Sequence, residues 1–266
     1  MNSRFTLLGL FCLTLVASPL RGEPVSRLLV GIQTSQTTKE INSQYAVTAQ
    51  RMRDRISEAT GNSVEVQFIR LPTQDIAIAA LTQGRVDVVA LDATGFVSAL
   101  KSQPHITLLC EQRKGTQPVQ GAIVVHLESN ATKLAELAGQ TIAFGPKYAS
   151  TTGLIAQAEF VRSAVRRYDV LTVNDLQRTE VLAGVRSGDF AAGAIEQAAS
   201  DNASGVRVLH RFPSIGRLWA SRGEVDMMTN LAIQNALLQD PDYYIVADAA
   251  LTAFCDSMDL GLKFDN

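Results

Sequence analysis

Ser150, Thr151 and Thr152 stand in a row ahead of Gly153, within the stretch GQTIAFGPKYASTTGLIA at residues 139–156. Residues 141–144 read as a short apolar strand, Gly145-Pro146 breaks it, and residues from about 151 to 164 read as a helix. Hydroxyls and unpaired backbone N–H groups would then gather at a helix N-terminus, at the C-terminal end of a strand. The free amides and the positive end of the helix dipole suit phosphate, sulfonate or carboxylate there. Ser and Thr are also the ordinary helix caps, so the same residues serve equally well as a structural N-cap.

Two acidic residues share a spacing. Asp92 lies eight positions after Gly84, and Glu196 lies eight positions after Gly188. Each glycine ends a helical pattern and each acid follows a short apolar strand, VDVVAL and DFAAGAI respectively. That places both carboxylates at the strand edge where open α/β sheets bind ligands. Taken singly, Asp92 also reads as the cap of the helix near Thr94, and Glu196 as a solvated surface acid.

Chemistry of other kinds has little support. The three histidines, His105, His126 and His210, fall in no HExxH spacing, and the chain carries no GxSxG elbow and no P-loop. We therefore expect no enzyme, no metal site and no cofactor. With 24 Lys and Arg against 26 Asp and Glu, there is no basic footprint for nucleic acid.

The N-terminus reads as an export signal. Arg4 precedes an apolar run at residues 5–17, and residues 19–22 form a polar, helix-breaking end. The run is too short to span a bilayer. Cleavage after Gly22 would leave a mature chain starting near Glu23, in the periplasm. That removes Cys12 and leaves Cys110 and Cys255 in an oxidising compartment. The pair reads as one disulfide or as two buried thiols.

Positioning elements alternate along the rest. Strand patterns at residues 28–32, 64–69 and 86–91 are separated by helical patterns at 49–59 and 75–83. A second βαβαβ set follows, with strands at 141–144, 170–173 and 190–195 and helices at 151–164 and 176–186. Further strands fall at 106–110, 122–125 and 206–209, and a mainly helical tail at 225–254 breaks at Asp240-Pro241. This order predicts α/β architecture with mostly parallel sheets.

Three segments carry a family resemblance: AFGPKYASTTG, LTQGRVDVV and GVRSGDF. With RLWASR at 217–222, they resemble the type II periplasmic solute-binding proteins, in particular the phosphate, phosphite and phosphonate binders of ABC transporters, over about residues 27–238. The resemblance implies a two-lobed type II periplasmic binding protein fold, each lobe a mixed, mostly parallel sheet flanked by helices. Residues 23–120 with 214–266 would form the first lobe and residues 121–213 the second. It implies that Ser150, Thr151 and Thr152 hold the oxyanion in the cleft, and that Thr34, Ser35 and Gln36 line another wall. It also implies that the C-terminal helix returns to the first lobe, which holds Cys110.

The sequence departs from the family's usual pattern at Leu91-Asp92-Ala93, where an aromatic is common, and at Gln177-Arg178-Thr179, where a His is common. Arg178 then stands either as a substitute anion contact or as a solvated helix arginine. The implied function is capture of a small oxyanion in an interlobe cleft by a monomer, with delivery to a membrane permease by hinge closure. The alternative is a sensor of the same fold that signals to a membrane receptor.

Overall fold

The computed structural model describes residues 27–146, 148–196 and 203–264. The expected signal peptide and its cleavage site therefore lie outside the described residues.

The first half opens with β1 (Arg27–Gln33), then α1 (Thr38–Gln44) and α2 (Ala46–Thr60). These lead to β2 (Glu65–Leu71), α3 (Gln74–Thr82), β3 (Val88–Leu91), α4 (Ala93–Ser102) and β4 (Thr107–Gln112). Local chemistry sets the helix ends. Thr37 and Glu40 form a reciprocal capping box on α1, and Thr73 caps α3 through the Ile76 N–H. Gly61 closes α2 at φ 73°, a left-handed conformation that a side chain would resist. Ala49, Met52 and Ile56 repeat along α2 and are buried against the sheet.

The second half begins with β5 (Gln120–His126) and β6 (Thr141–Ala143). It continues through α5 (Ile155–Arg162), β7 (Leu171–Val173), α6 (Arg178–Ser187), β8 (Ala192–Glu196) and β9 (Val206–Pro213). The chain then returns through β10 (Arg217–Ser221) and α7 (Met227–Leu238) to β11 (Tyr243–Tyr244), and ends in α8 (Asp248–Leu262).

Two mixed sheets result. The first is six-stranded in the order β11-β4-β10-β3-β1-β2, and the second five-stranded in the order β7-β6-β8-β5-β9. β1 runs parallel to β2 and β3, and β6 runs parallel to β7 and β8, as βαβ units require. The strands joined by the crossing segments, β4, β5, β9 and β10, make the antiparallel pairs. Residues 113–119 and 214–216 are those crossings, and they hold each other through Ser214 N–H to Val119 O at 2.9 Å.

The C-terminal helix departs from expectation. α8 packs on α5, beside the second sheet. Phe264, just past its end, lies 6.0 Å from Phe144 and 6.2 Å from Phe160. Gly261 sits so close to the Leu154 carbonyl that an added Cβ would fall 2.1 Å from its oxygen. One ion pair, Lys101 to Asp259 at 2.7 Å, ties α8 to α4 of the first half.

This placement corrects the disulfide expectation: Cys110 and Cys255 are both free. Cys110 is fully buried in a core shared with Tyr45 and Trp219. Cys255 is half-buried on α8 and packs against the other core, which runs beneath both sheets. Burial pushes both thiols above their ordinary pKa, Cys110 far more than Cys255.

Candidate functional site

Residues 150–154 do not form the regular helical turn that their pattern predicts. Ser150–Leu154 is a wide π-type turn, broken at Gly153 (φ −110°, ψ −108°), and α5 starts only at Ile155. No side-chain cap closes the turn at Ala149 or α5 at Leu154. The Thr151 hydroxyl instead meets the Ser214 hydroxyl at 3.0 Å. Gly145 permits the approach of Thr152, because a Cβ there would fall 2.1 Å from the Thr152 Oγ1. Gly145 N–H also donates to the Thr152 carbonyl at 3.0 Å. The Thr94 hydroxyl, from α4 of the first half, donates to the Tyr148 carbonyl on the approach to the turn.

The turn forms part of the wall of a cavity of about 820 Å³ between the two sheets. Ser150, Thr151 and Thr152 line it from the second sheet's side, together with Glu196 at the end of β8. Asp92 lines it from the first sheet, at the start of α4. Its side chain makes no capping bond. Its backbone N–H donates to Gln33 Oε1 at 3.1 Å. Burial pushes the Asp92 carboxyl above its ordinary pKa, the Arg217 charge opposes that shift, and the Glu196 charge adds to it. The two acids matched by spacing are thus near enough to act on each other across the cavity.

Four other expected site residues lie elsewhere. Thr34, Ser35 and Gln36 are not in the cavity wall. Their loop closes on itself through the Gln36 N–H to Thr34 Oγ1 at 3.2 Å, and Thr34 N–H donates to Leu71 O at 3.0 Å. Arg178 is exposed at the first position of α6, also outside the wall.

Apart from Asp92, the sequence does not mark the first-sheet wall. Arg217 heads β10 and donates to the Gln33 carbonyl at 3.1 Å. Arg113, on a crossing segment, pairs with Glu111 at 3.2 Å and lies 4.0 Å over the Tyr244 ring. Glu111 also accepts the Gly216 N–H at 2.7 Å, so one buried carboxylate joins the two crossings. Tyr45, at the junction of α1 and α2, completes this wall. The one available signal was a basic residue at the head of an apolar strand in RLWAS. No cluster of three or more His, Cys, Asp or Glu side chains suited to a metal occurs among the described residues.

The profile of a family described as the phosphonate periplasmic substrate-binding protein of ABC transporters matches residues 31–251 of the chain. No curated protein sequence matches it. Among solved structures, a Xanthomonas citri protein bound to ATP superposes with a TM-score of 0.71 at 15% identity, covering 91% of this chain and 100% of its own. PhnD1 from Prochlorococcus marinus in complex with methylphosphonate gives a TM-score of 0.67 at 16% identity, covering 91% and 99%. The periplasmic aliphatic sulphonate-binding protein of Escherichia coli gives a TM-score of 0.58 at 14% identity, covering 88% and 86%. At these identities the structural likeness speaks for the fold.

Proposed function

Because this chain belongs to the family of periplasmic substrate-binding proteins of ABC phosphonate transporters, we propose that it captures a phosphonate-like oxyanion in the cavity between its two sheets. The family consists of binding proteins that take up small anions and work with membrane permeases; they are exported to the periplasm and are not enzymes. No helix among the described residues is long and apolar enough to cross a membrane.

The supporting observation is the Ser150–Leu154 turn. Its three hydroxyl residues line the cavity and do not serve as helix caps. Hydroxyls and turn amides stabilise an oxyanion through charge-assisted hydrogen bonds without needing a full opposite charge. The neighbours' ligands, methylphosphonate, an aliphatic sulphonate and ATP, all present tetrahedral oxyanions. Closure would occur about residues 113–119 and 214–216, with the ligand shifting the open–closed balance by touching both sides. Delivery to the permease would follow from the closed form.

A thermal-shift panel tests this reading: methylphosphonate, phosphate, phosphite, aminoethylphosphonate, taurine and sulfate. A ligand present at one hundred times its Kd adds about 2.7 kcal/mol of stability. Small-angle scattering should show a smaller radius of gyration with that ligand. A panel in which no oxyanion shifts the transition overturns the proposal.

A further inference from the structure

The cavity extends beyond the Ser150–Leu154 turn to the first sheet. A volume of about 820 Å³ is in the range that encloses ligands of many heavy atoms. Ser150, Thr151 and Thr152 account for one wall. The first-sheet wall carries a different set of groups, with three donors among them.

Tyr45 is only 2% exposed. Its ring stacks on Phe68 at 5.2 Å and meets the edge of Trp219 at 5.7 Å, so the phenol is fixed in place. Tyr45 lines the cavity, yet its hydroxyl has no hydrogen-bond partner among the described residues. Arg113 gives Nη1 to Glu111 at 3.2 Å and Nη2 to the Thr116 carbonyl at 3.4 Å, which leaves its buried Nε as the one guanidinium nitrogen without an acceptor among the described residues. Buried polar groups are nearly always paired, so each orphan calls for an explanation. Arg217 adds a third donor to the wall, within electrostatic reach of Asp92 and of Tyr243.

Carboxylates are present too: Asp92, Glu196 and Asp242 line the same cavity. Asp92 lies within electrostatic reach of Arg217. Its burial disfavours its own charge, which weakens it as a competitor for the guanidinium.

Resting on the oxyanion reading of Ser150–Leu154, we propose that Tyr45, Arg113 and Arg217 form a second subsite for a second anionic oxygen group. The ligand class is then a phosphonate carrying a carboxylate or a further phosphoryl group, rather than a plain alkyl- or aminoalkylphosphonate. The Arg217 guanidinium, the Arg113 Nε and a fixed phenol supply donors for the oxygens of such a group.

Titration calorimetry with four probes tests this: methylphosphonate, aminoethylphosphonate, 3-phosphonopropionate and methylenediphosphonate. One or both of the doubly anionic probes should bind at least about tenfold tighter than methylphosphonate, the gain of one charged hydrogen bond. Which of the two is tighter tells carboxylate from phosphoryl. Arg217→Gln and Tyr45→Phe should each pull the ratio of doubly anionic to methylphosphonate affinity towards one. Tyr45→Phe keeps the ring, so it serves if Arg217→Gln fails to fold. Equal affinity for methylphosphonate and both doubly anionic probes overturns the second subsite alone. So does tightest binding of aminoethylphosphonate, which would give that end of the cavity to Asp92 and Glu196. A ratio unchanged in both variants overturns it as well. If no probe binds the unaltered protein, the oxyanion reading falls and takes this inference with it.

Discussion

Replacing Thr151 by Val keeps the shape of the side chain and deletes its hydroxyl. Thr151 is 7% exposed and Ser214 8% exposed, and their hydroxyls meet at 3.0 Å. The substitution removes that bond and leaves the Ser214 hydroxyl buried and unpaired, which costs about 1–3 kcal/mol of stability. Ser214→Ala removes the same bond from the other side and should cost a similar amount. Binding separates the two. If Thr151 also holds the ligand's oxyanion, Thr151→Val loses a hydrogen bond to a charged group, about 1.5–3 kcal/mol, or roughly 10–150-fold in Kd. Ser214→Ala keeps the hydroxyl that faces the ligand, so its Kd should change by less than about threefold, under 0.7 kcal/mol. Urea unfolding gives the stability terms, and calorimetry with methylphosphonate gives the affinities. In the double variant no hydroxyl is left unpaired, so its stability should exceed that expected from adding the two single losses. Equal affinity losses in the two single variants, or none in Thr151→Val, would show that the hydroxyl serves only the fold.

Gly261→Ala should destabilise the protein by about 1–3 kcal/mol and, if the turn binds the oxyanion, weaken methylphosphonate binding, because its Cβ would lie 2.1 Å from the Leu154 oxygen at the end of the Ser150–Leu154 turn. Lost stability with unchanged affinity in calorimetry would mean that α8 does not support the turn. Asp92 has a folded-state pKa above its ordinary value of 3.8, so the native state favours the protonated acid. Its contribution to stability is fully present below pH 3.8 and lost as pH rises through the folded value. Asp92→Asn should accordingly raise urea stability at pH 7 and not at pH 3, and a loss at pH 7 would contradict that sign. For the chain beginning at Glu23, alkylation without reductant should label both Cys110 and Cys255 after unfolding and spare Cys110 in the native state, since that thiol is fully buried. Failure to label either cysteine in the unfolded chain would restore the disulfide.

The alternating order of strands and helices was readable because local residues write it. Gly61 at φ 73° and Gly188 at φ 85° end helices where the pattern stops, and the fully buried β3 strand is a plain apolar run. Asp92 and Glu196, matched by spacing, line one cavity because each is held by its own helix–strand step. The loop after β1 lies outside the cavity wall. Gln33, the last residue of the strand, supports two residues of the cavity wall from behind. Its side chain accepts the Asp92 N–H, and its carbonyl accepts Arg217. The three residues after it turn back on themselves.

What the sequence left unwritten depends on partners far along the chain. Tyr45 is fixed by Phe68 and Trp219, 23 and 174 residues away, so no local pattern marks it as part of a cavity. The π-type turn at Ser150 is shaped by contacts with Gly145 on one side and α8 on the other. The crossing segments carry the same lesson into function. Ser214 holds Val119 through its backbone and Thr151 through its hydroxyl. Glu111 holds Gly216 and Arg113 together. The chain that joins the two halves therefore touches the Ser150–Leu154 turn at one point and the Arg113–Arg217 side of the cavity at another. In the proposed hinge closure, a rotation about residues 113–119 and 214–216 cannot leave either contact unchanged, and that is how ligand bound at the turn would bias the position of the two sheets.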